Sequence, residues 1–119
     1  MKWHITLRCV APREHVQQLL TSLIDRLGKQ VHHFPEEAVS LHVVFEENGA
    51  RTLYRTRLTC HVPGRMLAAR EERRDAGLSI HRAFSELERQ LSKHKALVSR
   101  TRRHARNRTR MPHVAEGVA

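Results

Sequence analysis

Aromatic side chains are scarce in this sequence, with one Trp, one Tyr and three Phe among 119 residues. A core must therefore be aliphatic, built from Leu, Val and Ile with Trp3, Phe34, Phe45, Tyr54 and Phe84 added. Cysteine is equally sparse. Cys9 and Cys60 have neither C-x-x-C spacing nor the density of a disulfide scaffold, so both are expected as free, buried thiols in a reducing cytosol. No apolar run is long enough to span a bilayer. Lys2 and Arg8 interrupt the N-terminal apolar residues where a secretory signal needs an unbroken stretch. These gaps point to a cytoplasmic location and no membrane partner.

Catalytic signatures are missing as well, since the sequence has no glycine-rich phosphate loop, no G-x-S-x-G and no H-E-x-x-H. The adjacent acids Glu36-Glu37, Glu46-Glu47 and Glu71-Glu72 do not supply a paired-carboxylate site, because neighbours on a strand point to opposite faces. The chain is therefore expected not to be an enzyme, to carry no cofactor and to have no small-molecule substrate. His4, His42 and His61 fall on one side of alternating segments, but they lack short-range ligand spacing and no cysteine joins them. Surface histidines are the expectation there, not a metal site.

Acidic residues are absent from one long stretch. Residues 93–110 hold Lys93, Lys95, Arg100, Arg102, Arg103, Arg106, Arg108 and Arg110 with no Asp or Glu. Residues 1–92 hold 14 bases against 11 acids, so most of the net charge of +10 sits near one end. Uncompensated charge of this density repels itself and favours a polyanionic partner, nucleic acid first and an anionic membrane surface second. A merely solvated charge run is the plainer alternative.

The apolar pattern organises the rest into one domain. Residues 2–10 alternate as a half-buried strand, with Trp3, Ile5, Leu7 and Cys9 on one side. Val16, Leu19, Leu20, Leu23, Leu27 and Val31 then follow at helical spacing, and Pro12 suits a first turn, so a helix is expected over 12–30. Val39, Leu41, Val43 and Phe45 form a second strand that turns at Asn48-Gly49, read as the left-handed pair of a tight hairpin. A third strand spans 52–62 and closes at Pro63-Gly64. A fourth over 65–73 is inferred from its flanking turns rather than from its composition, which would suit a helix.

The second helix is read over 75–103 with Asp75 as its N-cap. At 100° per residue, Ile80, Ala83, Phe84, Leu87, Leu91 and Val98 lie within about 60° of one direction. Arg82, Arg89, Lys93 and Arg100 lie at about 180–220° from Ile80. One face is built to pack and the other to meet negative charge. The order β-α-β-β-β-α gives an α+β fold, a four-stranded mixed sheet with two helices packed on one face. A helix of 29 residues, roughly 43 Å, exceeds an eight-residue strand of about 26 Å, so its last third should overhang the sheet.

The run Asp75 to Lys95 resembles the second helix of the ribosome hibernation-promoting factor and ribosome-associated inhibitor family, through Asp75, Ile80, Leu87, Glu88, Arg89, Gln90, Leu91, Lys93 and Lys95. The resemblance fits a short form, with the N-terminal domain only. It implies a fold similar to a double-stranded RNA-binding domain. It also implies binding to rRNA of the small ribosomal subunit, occluding tRNA and mRNA sites in slow growth or stress. On that reading residues 1–105 form the ribosome-binding domain and 106–119 a disordered basic tail. The expected RNA contacts are Arg82, Arg89, Lys93, Lys95, Arg100, Arg102 and Arg103, with Arg26 and Lys29 from the first helix as weaker candidates. Arg8, Arg55 and Arg57 on the open side of the sheet either widen that surface or keep the sheet soluble. The alternatives are a stand-alone structured-RNA-binding protein and a non-catalytic module whose basic tail grips an acidic partner. An acylphosphatase-like enzyme would need a phosphate-cradling loop that this sequence lacks.

Overall fold

The computed structural model describes residues 1–9, 13–50 and 52–110; for Arg13 and residues 98–110 only the backbone is described. The elements run β1 (Lys2–Arg8), α1 (Arg13–Gln30), a single 3-10 turn (Glu36–Ala38), β2 (Ser40–Asn48), β3 (Leu53–Val62), β4 (Arg65–Arg73) and α2 (Ala76–Arg110). This is the α+β order expected from the alternation of two-residue and helical periods. Val10 and Pro12, read as strand end and first helical turn, lie outside the described residues. The chain divides into two compact units, one from Met1 to Arg89 and a second beginning at Gln90.

In the first unit the sheet order is β1-β2-β3-β4. β1 runs parallel to β2, pairing Ile5 with Val43, while β2, β3 and β4 form an antiparallel meander in which Val43 faces Leu58 and Leu58 faces Ala69. That register puts Leu41, Val43, Phe45, Leu58, Cys60, Leu67 and Ala69 on one face, and all are buried. Leu20, Ile24 and Leu27 of α1 and Ile80, Ala83, Phe84 and Leu87 of α2 are buried with them. Truncating such side chains to Ala typically costs about 2–5 kcal/mol. The interior is thus the aliphatic core that the shortage of aromatics demands. The weakly patterned β4 is a strand because its small and apolar residues Leu67 and Ala69 alternate inward, and ladder pairing outweighs helix propensity.

Trp3, expected in the core, is instead 49% exposed, and two backbone readings change. The β2–β3 register pairs Asn48 with Leu53, leaving four residues in the connection rather than a two-residue hairpin. Among the described residues of this connection the left-handed one is Thr52, at φ 52°, and not the expected Asn48-Gly49 pair. Gly64 does adopt the left-handed conformation of its turn, at φ +85°. The second difference is length, since α2 continues through Arg110. Residues 106–110, assigned to a disordered tail for want of apolar periodicity, are helical, as arginine propensity permits without any packing stripe. Residues 111–119 lie outside the described residues. Among the described residues, no helix is long and apolar enough to cross a membrane.

Candidate nucleic-acid interface

α2 begins at a side-chain cap. The Leu78 amide donates to Asp75 Oδ1 at 2.8 Å, satisfying a backbone donor that the first helical turn otherwise leaves unpaired. A Cβ at Gly77 would lie 3.3 Å from that same oxygen, so a glycine, poor for helix propensity, leaves the cap uncrowded. From this start, helical spacing carries the cations away from the buried stripe.

In the first unit the four predicted cations divide. Arg89 is bound by Glu86 one turn earlier, with Nη2–Oε2 at 2.7 Å and Nε–Oε1 at 3.0 Å. That carboxylate raises the Arg89 pKa further above its usual value, through its hydrogen bond first and its charge second. The pair is solvent-exposed, so it contributes little to stability and can yield to a phosphate. Arg26 of α1 reaches Glu88 of α2, with Nε–Oε2 at 3.0 Å and Nη2–Oε1 at 3.1 Å, and Gln30 Nε2 donates to the same carboxylate at 3.0 Å. Glu88 is only 14% exposed in its side chain, which makes this group a tie between helices. Arg26 is therefore committed to packing first. Arg82 and Lys29 are exposed and form no ion pair among the described residues.

In the second unit Leu91 and His94 are buried, whereas Lys93 and Lys95 are exposed and form no ion pair among the described residues. Arg100, Arg102 and Arg103 lie within α2, and their side chains are outside the described residues. His94 extends the apolar stripe one turn past Leu91, a position the histidine hid from a purely apolar count.

The uncovered face of the sheet is also cationic. The register sets Thr6, Val44, Arg57 and Arg70 side by side in one row and Arg8, Glu46, Arg55 and Glu72 in another. Glu46 bridges Arg57 at 2.9 Å and Arg8 at 3.6 Å, and Glu72 holds Arg55 at 3.0 Å. Arg70 escaped the sequence reading because β4 shows no clean polar alternation; only the ladder with β3 reveals its side. Among the described residues, no group of three or more His, Cys, Asp or Glu could hold a metal ion, and the open-face histidines His4 and His42 meet only as rings 5.3 Å apart.

Comparison with known proteins bears on this arrangement. The family model described as sigma 54 modulation protein / S30EA ribosomal protein matches residues 3–98. The chain belongs to this family. The matched span of the S30EA-type chain includes β1 from Trp3 onward, the other three strands, α1, Lys93 and Lys95, and ends before Arg100. Among solved structures, a ribosomal subunit interface protein from Coxiella burnetii is 22% identical, with a TM-score of 0.59, covering 81% of this chain and 99% of that one. The Protein Y N-terminal domain from Thermus thermophilus is 19% identical, with a TM-score of 0.62, covering 78% of this chain and 98% of that one. At these identities the likeness is one of fold. No curated protein compared with the chain matches it.

Proposed function

We propose that this S30EA-family chain is a ribosome-associated factor that binds the small ribosomal subunit and, by occupying tRNA and mRNA sites, lowers translation in slow growth or stress. Its mechanism is occupancy and not chemistry. The observation that carries the reading is the exposed pair Lys93 and Lys95 on α2, unpaired among the described residues and followed by Arg100, Arg102 and Arg103, in a chain of a ribosomal-protein family. A-form RNA offers phosphates and 2′-hydroxyls rather than readable major-groove edges, so recognition by charge spaced along a helix suits it. Arg82 and Lys29 add charge from the first unit, and Arg89 joins when phosphate replaces Glu86. Arg26 contributes chiefly by holding α1 to α2. Residues 1–105 carry the binding function, and the helical residues that follow extend its charge.

Co-sedimentation with purified small subunits tests this directly. Lys93→Glu with Lys95→Glu should abolish it without lowering the melting temperature. Retained binding would reject α2 as the contact surface, and an equal affinity for a generic RNA duplex would replace the ribosome with structured RNA at large.

A further inference from the structure

The sheet face opposite the helices is not a neutral backing. Its central rows form a shallow hollow of about 370 Å³ lined by Thr6, Arg8, His42, Val44, Arg57 and Thr59. Arg57 and Arg70 occupy directly opposed positions on neighbouring antiparallel strands. Like charges so placed are destabilising unless an anion lies between or over them. Glu46 is shared between Arg57 and Arg8, and Arg70 forms no ion pair among the described residues. The row through Arg57 and Arg70, beside the hollow, therefore carries more positive charge than Glu46 answers.

The neighbouring row is chemically different. It sets His4, His42, Thr59 and Ala68 side by side, with the His4 and His42 rings tilted at 55° and 5.3 Å apart, and Thr6 Oγ1 is 3.5 Å from His42 Nε2. Met66, two residues along β4 from Ala68, is 60% exposed. Two residues along a strand span roughly 6.6 Å, a reach within one nucleotide, so a phosphate over the arginines can leave its base over the histidines. Cations beside stackable rings on an open four-stranded sheet suit unpaired nucleotides, whose backbone tracks the charge while bases stack. In a duplex the bases are already stacked on each other, and the histidine row would have nothing to meet.

We infer that this open sheet face, through Arg57, Arg70, His4 and His42, binds a segment of single-stranded RNA. The assignment rests on the reading of the chain as an RNA-binding ribosome factor and adds a second surface to it, on the opposite side of the sheet from the helices that pack against it.

The test uses the full chain, a labelled 12-nucleotide single-stranded RNA of mixed sequence, a hairpin duplex of similar charge, and polyglutamate as a competitor. Arg57→Gln with Arg70→Gln should weaken single-strand binding about tenfold or more and make its dependence on log salt shallower by roughly 1.4, the share of two phosphates. His4→Ala with His42→Ala should weaken it about tenfold through lost stacking, with a smaller change in the salt slope. Unchanged single-strand affinity in both double variants overturns the assignment. So does duplex binding that is as tight and as sensitive to the same substitutions, and so does displacement of RNA by polyglutamate at equal charge. Small-subunit co-sedimentation, run in parallel with Lys93→Glu/Lys95→Glu, separates the two readings. Lost single-strand binding in the sheet variants supports the sheet site even if wild-type chain fails to sediment with subunits. Single-strand binding that only the α2 variant loses overturns the sheet site and leaves the ribosome reading standing.

Discussion

The hydroxyl of Thr56 on β3 lies 2.9 Å from the hydroxyl of Ser79 on α2, and both side chains are fully buried. Ser79 Oγ also donates to the Glu71 carbonyl at 3.2 Å. A serine has one hydroxyl proton, so Thr56 must donate to Ser79, and the three groups form a directed chain through the core. The two substitutions should therefore be unequal. Ser79→Ala leaves the Thr56 donor buried without a partner and should cost about 1–3 kcal/mol. Thr56→Val keeps the Ser79 bond to Glu71 and should cost about 1 kcal/mol or less. Urea denaturation of both variants checks the order, and a costlier Thr56→Val would reverse the donor assignment.

Arg26, Gln30 and Glu88 should behave as one tie between α1 and α2. A double-mutant cycle on Arg26→Ala and Glu88→Ala should return a coupling of about 1 kcal/mol, reduced from the buried-pair range because Arg26 is largely exposed. Zero coupling would return Arg26 to the pool of freely available cations.

Burial pushes the Cys60 thiol up from 9.0 to about 11. Above pH 9 the unfolded chain ionises this thiol while the folded chain keeps it protonated. The stability it contributes is therefore complete below pH 9 and is lost as pH rises through 11, a total on the order of 3 kcal/mol. Unfolding free energies measured at pH 8 and pH 11 should fall less in Cys60→Ala than in the wild type. Parallel losses in the two proteins would remove Cys60 from the alkaline transition.

Thr52 holds a left-handed backbone that a β-branched residue adopts only at a cost. Thr52→Gly should stabilise the fold by about 1 kcal/mol, read as a higher denaturation midpoint with an unchanged slope. A lower midpoint would mean that the Thr52 side chain makes a compensating contact.

Much of the fold was legible because each strand before β4 alternates cleanly and each helix has an apolar stripe. β4 had to be inferred from its turns, since R-M-L-A-A-R-E-E-R reads as helix by propensity, and its alternation emerges only when Leu67 and Ala69 meet β3. The left-handed Thr52 could not be read at all, because Asn48-Gly49 offers a better local turn than the one the register selects. The candidate interface was half legible. Helical spacing gives the outward direction of Arg82, Arg89 and Lys93, but says nothing of Glu88 reaching from one helix to another, which pairs Arg26 while leaving it largely exposed. Arg70 stayed hidden for the converse reason, that its significance lies in facing Arg57 across a ladder and not in any neighbour along the chain.

The most direct test of the central claim is co-sedimentation of the full chain with purified small subunits, comparing wild type with Arg82→Glu/Lys93→Glu/Lys95→Glu at matched salt. The predicted result is stoichiometric sedimentation of the wild type, loss of the variant from the subunit fraction, and unchanged thermal melting of the free protein. Sedimentation of the folded variant at the wild-type level would contradict the assignment of α2 as the ribosome-contacting element.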